Sequence, residues 1–302
     1  WAEAFERNQL EYYPKIVTSI PFTPTTGQRI GFAPFLSENE KQDVINQVGQ
    51  FIRQQLVDRH WSSWHGLFNL QSQHNMWLNS SVISRLGCQF HWHNHGYSDF
   101  NDFLGNMSSR KRKNILKERA QIQQAQLRFT FVEGDKASPE QWQGFVQCYQ
   151  RTYLKRSGHQ GYLSADFFLL VAATMGESIR LLLVENSQNQ LVASALYFIS
   201  DSHLYGRYWG ALTEHDGLHF EACYYQGIEY AIANQLSVFD AGAQGEHKVA
   251  RGFYPVLTYS SHIIQHQGFG DAIADFCEQE QHHIGLYMQQ MTAQLPYKTT
   301  CQ

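Results

Sequence analysis

The sequence predicts a layered α/β fold: mixed, mostly antiparallel sheets flanked by helices, arranged as two similar domains. Three observations predict it. After residue 126 the elements read β, α, α, β, β, β, α, β, loop, β, so hairpin-linked strands are followed by one βαβ crossover. Residues 1–95 read as strand, helix, strand, short helix, strand, which is the tail of the same order. The composition is globular: 43% apolar and 17% charged over 302 residues, a length that suits two domains of roughly 150 residues. The expected boundary lies at 95/96. Residues 1–95 form the C-terminal part of a first domain whose N-terminal part is missing, as the start at Trp1 rather than Met suggests, and 96–302 form a complete second domain.

Each element has its own warrant. Pro14, Pro21, Pro24, Gly27, Gly31 and Pro34 break residues 1–35 into strand and loop. Ser37 and Glu40 make a capping box, and Val44, Ile45, Val48, Phe51, Ile52 and Leu56 follow at helical spacing. Strands are expected at 67–70 and 84–93, with a short helix at 74–78 between them, and 98–126 reads as helix in one or two pieces. A strand at 127–133 precedes Ser138-Pro139-Glu140-Gln141, a strong helix start that carries to about Lys155. Ser164 opens another helix, to Met175. Strands at 179–185, 191–200 and 203–211 come next. Phe220, Cys223, Tyr224, Gly227, Ile228, Ala231 and Ile232 recur at i, i+3, i+4 and mark an amphipathic helix. Strands at 238–241 and 258–264 and a helix at 269–291 complete the order.

Charge and cysteine usage exclude several classes. The formal net charge is -4, so no global cationic field holds nucleic acid. The longest apolar runs, 167–173 and 191–199, fall far short of the ~20 residues that span a bilayer. Cys88, Cys148, Cys223, Cys277 and Cys301 are odd in number and form no CxxC, which fits a reducing, cytoplasmic setting and neither a disulfide scaffold nor a zinc ribbon.

Three clusters carry candidate chemistry. Residues 108–119 hold six basic residues and one acid, a local charge of +5. Lys111, Arg112 and Lys113 at a helix start suit phosphate, and a solvated helix face is the alternative. Tyr205-Gly206-Arg207-Tyr208-Trp209-Gly210 lies on a strand, with Tyr205, Arg207 and Trp209 expected on one face and Gly206, Tyr208 and Gly210 on the other. Glycines there permit a bulge that aims a backbone N–H at an oxyanion, or the aromatics simply pack across strands. The loop at 239–253 follows a strand at its carboxyl end and brings Gln244, Glu246, His247, Lys248 and Arg251 among three glycines. Glu246 and His247 are available bases, Lys248 and Arg251 available anion binders. His91, His93 and His95 alternate on a strand, but no HExxH or carboxylate spacing supports a metal, and none is expected.

Read together, these strings resemble the FemAB-like peptidoglycan biosynthesis/recognition family of the GNAT superfamily. The resemblance runs from Tyr12-Tyr13-Pro14-Lys15 and Pro21-Phe22-Thr23-Pro24 through Ser109–Ile115 and Tyr205–Gly210 to Phe220–Gln226 and Gly242–Lys248. It implies tandem GNAT-like domains and transfer of an acyl or aminoacyl group to an amine, with a cell-wall precursor as acceptor. The implied partners are a peptide or nucleotide-sugar substrate and charged tRNA. The slot where GNAT acetyltransferases hold the coenzyme A pyrophosphate reads Leu212–His219, acidic and with one glycine, so no cofactor is certain and acyl-CoA stays an alternative donor. On this reading Glu246 or His247 is the base, Tyr208 or Tyr205 returns a proton to the leaving group, and Lys111, Arg112, Lys113, Arg207, Trp209, Gln244, Lys248 and Arg251 bind substrate. The alternatives are a non-catalytic module that binds a phosphorylated precursor or protein, and RNA binding through 108–119.

Overall fold

The structure, a computed structural model, describes residues 1–243 and 245–298. In chain order the elements are α1 (Ala2–Arg7), β1 (Ile16–Thr18), α2 (Glu38–Asp58), β2 (Ser63–Asn69), α3 (Gln71–Leu78), β3 (Ile83–His93), α4 (Phe100–Gly105) and α5 (Ser109–Gln124). There follow β4 (Arg128–Glu133), α6 (Pro139–Ser157), α7 (Ala165–Met175), β5 (Ile179–Glu185), β6 (Leu191–Ile199) and β7 (His203–Ala211). The remainder is α8 (Leu218–Phe220), a π-helical turn (Glu221–Tyr225), α9 (Gln226–Ala233), β8 (Val238–Asp240), a 3-10 turn (Glu246–Arg251), β9 (Tyr254–Ile264) and α10 (Gln267–Ala293). This is the expected mixed, mostly antiparallel α/β architecture. The chain divides into two compact units that interleave in sequence. One is Trp1–Gln89 with Pro255–Met291; the other is Phe90–Tyr254 with the residues from Thr292 onward.

In the first unit, β1 runs parallel to β2 and β2 antiparallel to β9. The Ser37–Glu40 capping box forms and starts α2. The buried stripe of α2, Ile45, Ile52 and Leu56, packs with Trp64, Trp77 and Ile263. Residues 2–7, expected as strand or loop, are helical. Burial of Phe5 beside Ile273 and Cys277 outweighs the proline-rich context. A polar seam crosses this unit. His65 Nδ1 lies 2.7 Å from His262 Nδ1, and Ser63 and Ser260 hydroxyls lie 2.9 and 3.0 Å from the other ring nitrogens. His74 bridges Ser261 and Ser84. Burial, helped by the Lys15 charge, pushes His65 down to about 4, and burial likewise lowers His262 and His74.

The second unit is built on the antiparallel run β4, β5, β6, β7. β7 then pairs in parallel with β8, which pairs antiparallel with the end of β3. The capping box at Ser138 forms, with Pro139 in the first turn of α6. Trp142, Phe145 and Tyr149 of α6 and Phe168 of α7 cover one sheet face at Ile179, Leu181 and Leu196. Gly210 makes this contact possible, because a Cβ there would stand 1.8 Å from the Cys148 carbonyl oxygen.

The strict alternation expected along 205–210 does not hold. Leu196 faces Tyr208 but Tyr197 faces Gly206, so Arg207 is the extra residue of a β-bulge. The bulge leaves Tyr208 and Gly210 against α6 and turns Gly206 toward Tyr197 and Phe239. The β7–β8 ladder ends at Tyr205–Asp240, two residues before the bulge. The helix expected around 220–232 also starts differently. Its π-helical turn admits one extra residue, places Glu221 and Ala222 inside, and leaves the Ala222 carbonyl to accept from the Tyr197 hydroxyl.

Candidate functional site

A cavity of about 850 Å³ opens in the second unit. Its walls are the C-terminal turn of α6, the end of β7 and the 212–219 connection, with Arg151, Lys155, Arg156, Trp209, Glu214, His215, Asp216 and His219 on its lining. The local sequence explains the cations. Lys155 and Arg156 occupy the last turn of α6, where the negative end of the helix dipole favours positive charge, and Gly158 in the left-handed conformation stops the helix. Lys155 pairs with Glu214 across the opening. Thr152 Oγ1 donates to the Trp209 carbonyl at 2.8 Å and holds the β7 wall against α6.

From this wall an aromatic belt leads to the 3-10 turn. The His219 ring lies 5.5 Å from Trp209, 5.4 Å from Tyr224 and 6.5 Å from His247. Phe220 lies 5.6 Å from His247, and the Arg251 guanidinium stacks 3.6 Å over Phe220. His247 Nε2 sits 2.7 Å from the Tyr224 hydroxyl. Burial and the neighbouring charges of Arg251 and Lys248 lower the His247 pKa, which favours the neutral ring. His219 is pushed down to about 4, chiefly by burial and then by His247 and the cations around it.

Beneath the belt lies a network of buried charge. Arg119 of α5 makes a two-bond fork to Glu221 and reaches Glu229 as well. One residue earlier, Glu118 accepts from Arg251 at 2.9 Å on both oxygens, and the Tyr225 hydroxyl donates to it. Arg251 also donates to the His247 carbonyl at 2.9 Å. The carboxylate at the end of the basic segment therefore fixes the turn that presents His247. Lys111 lies on the α5 stripe of Ile115, Glu118 and Ile122, about 10 Å up the helix from Glu118. Lys111 and Arg112 are half-buried, whereas Arg110 and Lys113 are exposed.

The residues expected at a site thus separate into groups. His247, Trp209 and Arg251 come together at the belt, and Glu246 stands exposed on the adjoining turn. Lys248 and Arg251 are engaged inside the protein rather than presented to an anion. Lys248 is fully buried, donates to the Gly242 carbonyl, and is lowered to about 8 by burial against the pull of Asp240. Tyr208 points into the α6–α7 core, 5.3 Å from Tyr149 and 5.7 Å from Phe168, because the bulge turns it there. Tyr205 stacks on His203, 5.6 Å away, beside Asp240. The Arg207 guanidinium lies 5.2 Å over Tyr208. Gln244 and Cys301 lie outside the described residues.

The cationic turn of α6, His219, Tyr224 and Glu118 escape the sequence reading. Lys155-Arg156 at a helix end was a readable signal; the other three depend on tertiary placement. Among the described residues, no group of three or more His, Cys, Asp or Glu side chains is placed to hold a metal ion, and no helix is long and apolar enough to cross a membrane. His91 faces Asp240, 3.7 Å away, and burial keeps its pKa low despite that carboxylate.

The pattern of the FemAB-like family, described as peptidoglycan biosynthesis/recognition, matches residues 1–299. No curated protein matches the chain. Among solved structures, FemX is similar at TM-score 0.54 and 12% identity, over 85% of each chain. L-PGS from Bacillus licheniformis is similar at TM-score 0.52 and 10% identity, over 74% of each chain. A C-terminal DUF2156 domain from Agrobacterium fabrum reaches TM-score 0.57 at 9% identity, over 79% of this chain and 77% of its own. At these identities the likeness is one of fold.

Proposed function

The chain belongs to the FemAB-like family of peptidoglycan biosynthesis/recognition, and from that premise we propose that it transfers an acyl or aminoacyl group to an amine of a cell-wall precursor. One observation carries the reading: His247, hydrogen-bonded to Tyr224, lies 6.5 Å from His219 on the lining of a cavity that also carries Arg151 and Arg156. Arg151 and Arg156 suit the phosphates of a donor, charged tRNA or acyl-CoA. Trp209 and His219 offer ring faces to its base.

In the reaction the acceptor amine attacks the donor carbonyl. The C–N bond forms, and the C–O or C–S bond to the donor breaks. His247 accepts the amine proton through the ring nitrogen that Tyr224 does not engage, with Glu246 on the same turn as the alternative base. On the bulged strand the Trp209 N–H faces away from β6 and is the candidate for the oxyanion. Tyr208, packed on Tyr149, is a weak candidate for returning the proton. The Tyr224 hydroxyl, hydrogen-bonded to His247, replaces it in this role.

The test pairs the purified protein with a nucleotide-linked peptide precursor and either charged tRNA or acyl-CoA, and reads the product by mass. His247→Ala is expected to lower kcat about 10²- to 10⁴-fold. Undiminished transfer by the His247→Ala/Glu246→Gln double variant would sink the mechanism. Tight precursor binding with no turnover under any donor would favour a binding module instead.

A further inference from the structure

His219 lines the cavity with both ring nitrogens unused. Gly217, in the left-handed conformation at φ +82, turns the chain, and Leu218 anchors it inside. The next side chain is His219, half-buried on the cavity lining. Among the described residues neither nitrogen of its ring makes a hydrogen bond, and neither is sealed from solvent.

Other rings hold it instead. His219 stands edge to face with Trp209, 5.5 Å away at 70°, and with Tyr224, 5.4 Å away at 86°. Tyr224 reaches this place through the π-helical turn at Glu221–Tyr225. In an uninterrupted α-helix a residue five places on points away from the first, and the wider turn brings it round. Tyr224 also binds His247, so one phenol aligns two imidazoles whose centres lie 6.5 Å apart.

Packing alone does not call for histidine here. Phe or Leu would fill the same cage without taking two nitrogens out of water. A neutral imidazole offers one N–H donor and one lone pair. Burial, then His247 and the surrounding cations, hold the His219 pKa down to about 4, so the ring takes no proton at pH 7. A ring kept neutral in this way is a poor base but a fixed donor for an oxygen that gains charge.

We propose that His219 is a catalytic residue of the transfer, donating its N–H to the carbonyl oxygen of the donor as that oxygen becomes the oxyanion. The inference rests on the transferase reading and adds a side-chain donor to the backbone one. As the amine attacks, the C–N bond forms and the carbonyl π pair moves onto oxygen, where the His219 N–H holds it. On collapse that pair re-forms the carbonyl, and the C–O or C–S bond breaks with its pair on the leaving atom. The amine proton goes to His247, and His219 begins and ends neutral. Two hydrogen bonds of ~3 Å, from the amine to His247 and from His219 to the oxyanion, suit the gap between the rings.

The test is kinetic, in the transfer assay with product read by mass. His219→Phe keeps a ring in the cage and removes both nitrogens, whereas His219→Gln keeps a donor. His219→Phe is expected to lower kcat about 10²- to 10³-fold while KM stays within about twofold. His219→Gln should retain at least about ten times the His219→Phe rate. His219→Leu deletes the nitrogens without the ring and should lose as much; it stands in for His219→Phe if that protein does not fold. Far-UV circular dichroism and urea midpoints of the variants should match the parent. With a parent that transfers, an unchanged kcat in His219→Phe, a loss confined to KM, or a His219→Gln no faster than His219→Phe would each overturn the proposal and leave the proposed function standing. A parent that transfers from neither donor removes the proposed function, and the role of His219 with it.

Discussion

The two units bury polar groups in opposite ways. The first carries its seam as neutral groups, with His65, His262 and His74 bridged by serine hydroxyls. The second buries formal charge: Glu221, Asp240, Lys248 and Arg251 are each at most 7% exposed. Neutral imidazoles and hydroxyls lose little on burial once hydrogen-bonded, whereas each buried ion gives up several kcal/mol of hydration that only good partners restore. The neutral seam needs no further explanation than packing. The charged network is costly, and it lies where a turn must be held against a cavity. The contrast teaches which buried polar cluster to associate with function.

The largest expected effect breaks the charged side of the comparison. Arg119→Met leaves Glu221 buried without its cation and should cost about 3–5 kcal/mol in urea unfolding. Arg119→Met with Glu221→Gln should recover much of that loss; no recovery would show that packing of the guanidinium on Phe100, 4.4 Å away, is the dominant contribution.

Next comes acid. His65 is held near 4 in the folded protein against roughly 6.5 in the unfolded chain, so the unfolded chain binds more protons between those values. Stability from the seam is therefore complete above about pH 6.5 and falls as pH drops toward 4, by up to about 3 kcal/mol. Urea midpoints at pH 7 and 5 should diverge in the parent and draw together in His65→Gln. Equal slopes in the two proteins would mean that the seam is not what titrates.

The smallest effect on stability sharpens the link to the site. Glu118→Gln keeps an acceptor for Arg251 but removes the charge, for about 1 kcal/mol. Transfer should suffer more than folding, because Arg251 also holds the His247 carbonyl. Stability and kcat falling in proportion would reduce Glu118 to a structural residue.

Much of the fold was readable along the chain. The capping boxes at Ser37 and Ser138, the Ser164 cap and the three strands between residues 179 and 211 are local signals, and each forms where expected. The site was legible only in part. His247 and Trp209 stand in the region the glycines and aromatics marked, but the Arg207 bulge reversed which face Gly206 shows, and the π-helical turn brought Glu221 inside. One inserted residue in a ladder or a helix changes facing without leaving a periodicity that a sequence displays. Lys248 and Arg251 looked like anion binders because side-chain chemistry was all that could be read; their burial belongs to the fold.

By itself, then, the sequence determined what depends on neighbours within a turn or two: the caps, the strand and helix periods, the +5 segment of 108–119 and the order of the elements. Only the tertiary structure decided which charges meet. Arg119 with Glu221 and Glu118 with Arg251 join elements 102 and 133 residues apart in the chain. Such pairings follow from packing geometry and desolvation, which act through space and leave no mark on local spacing.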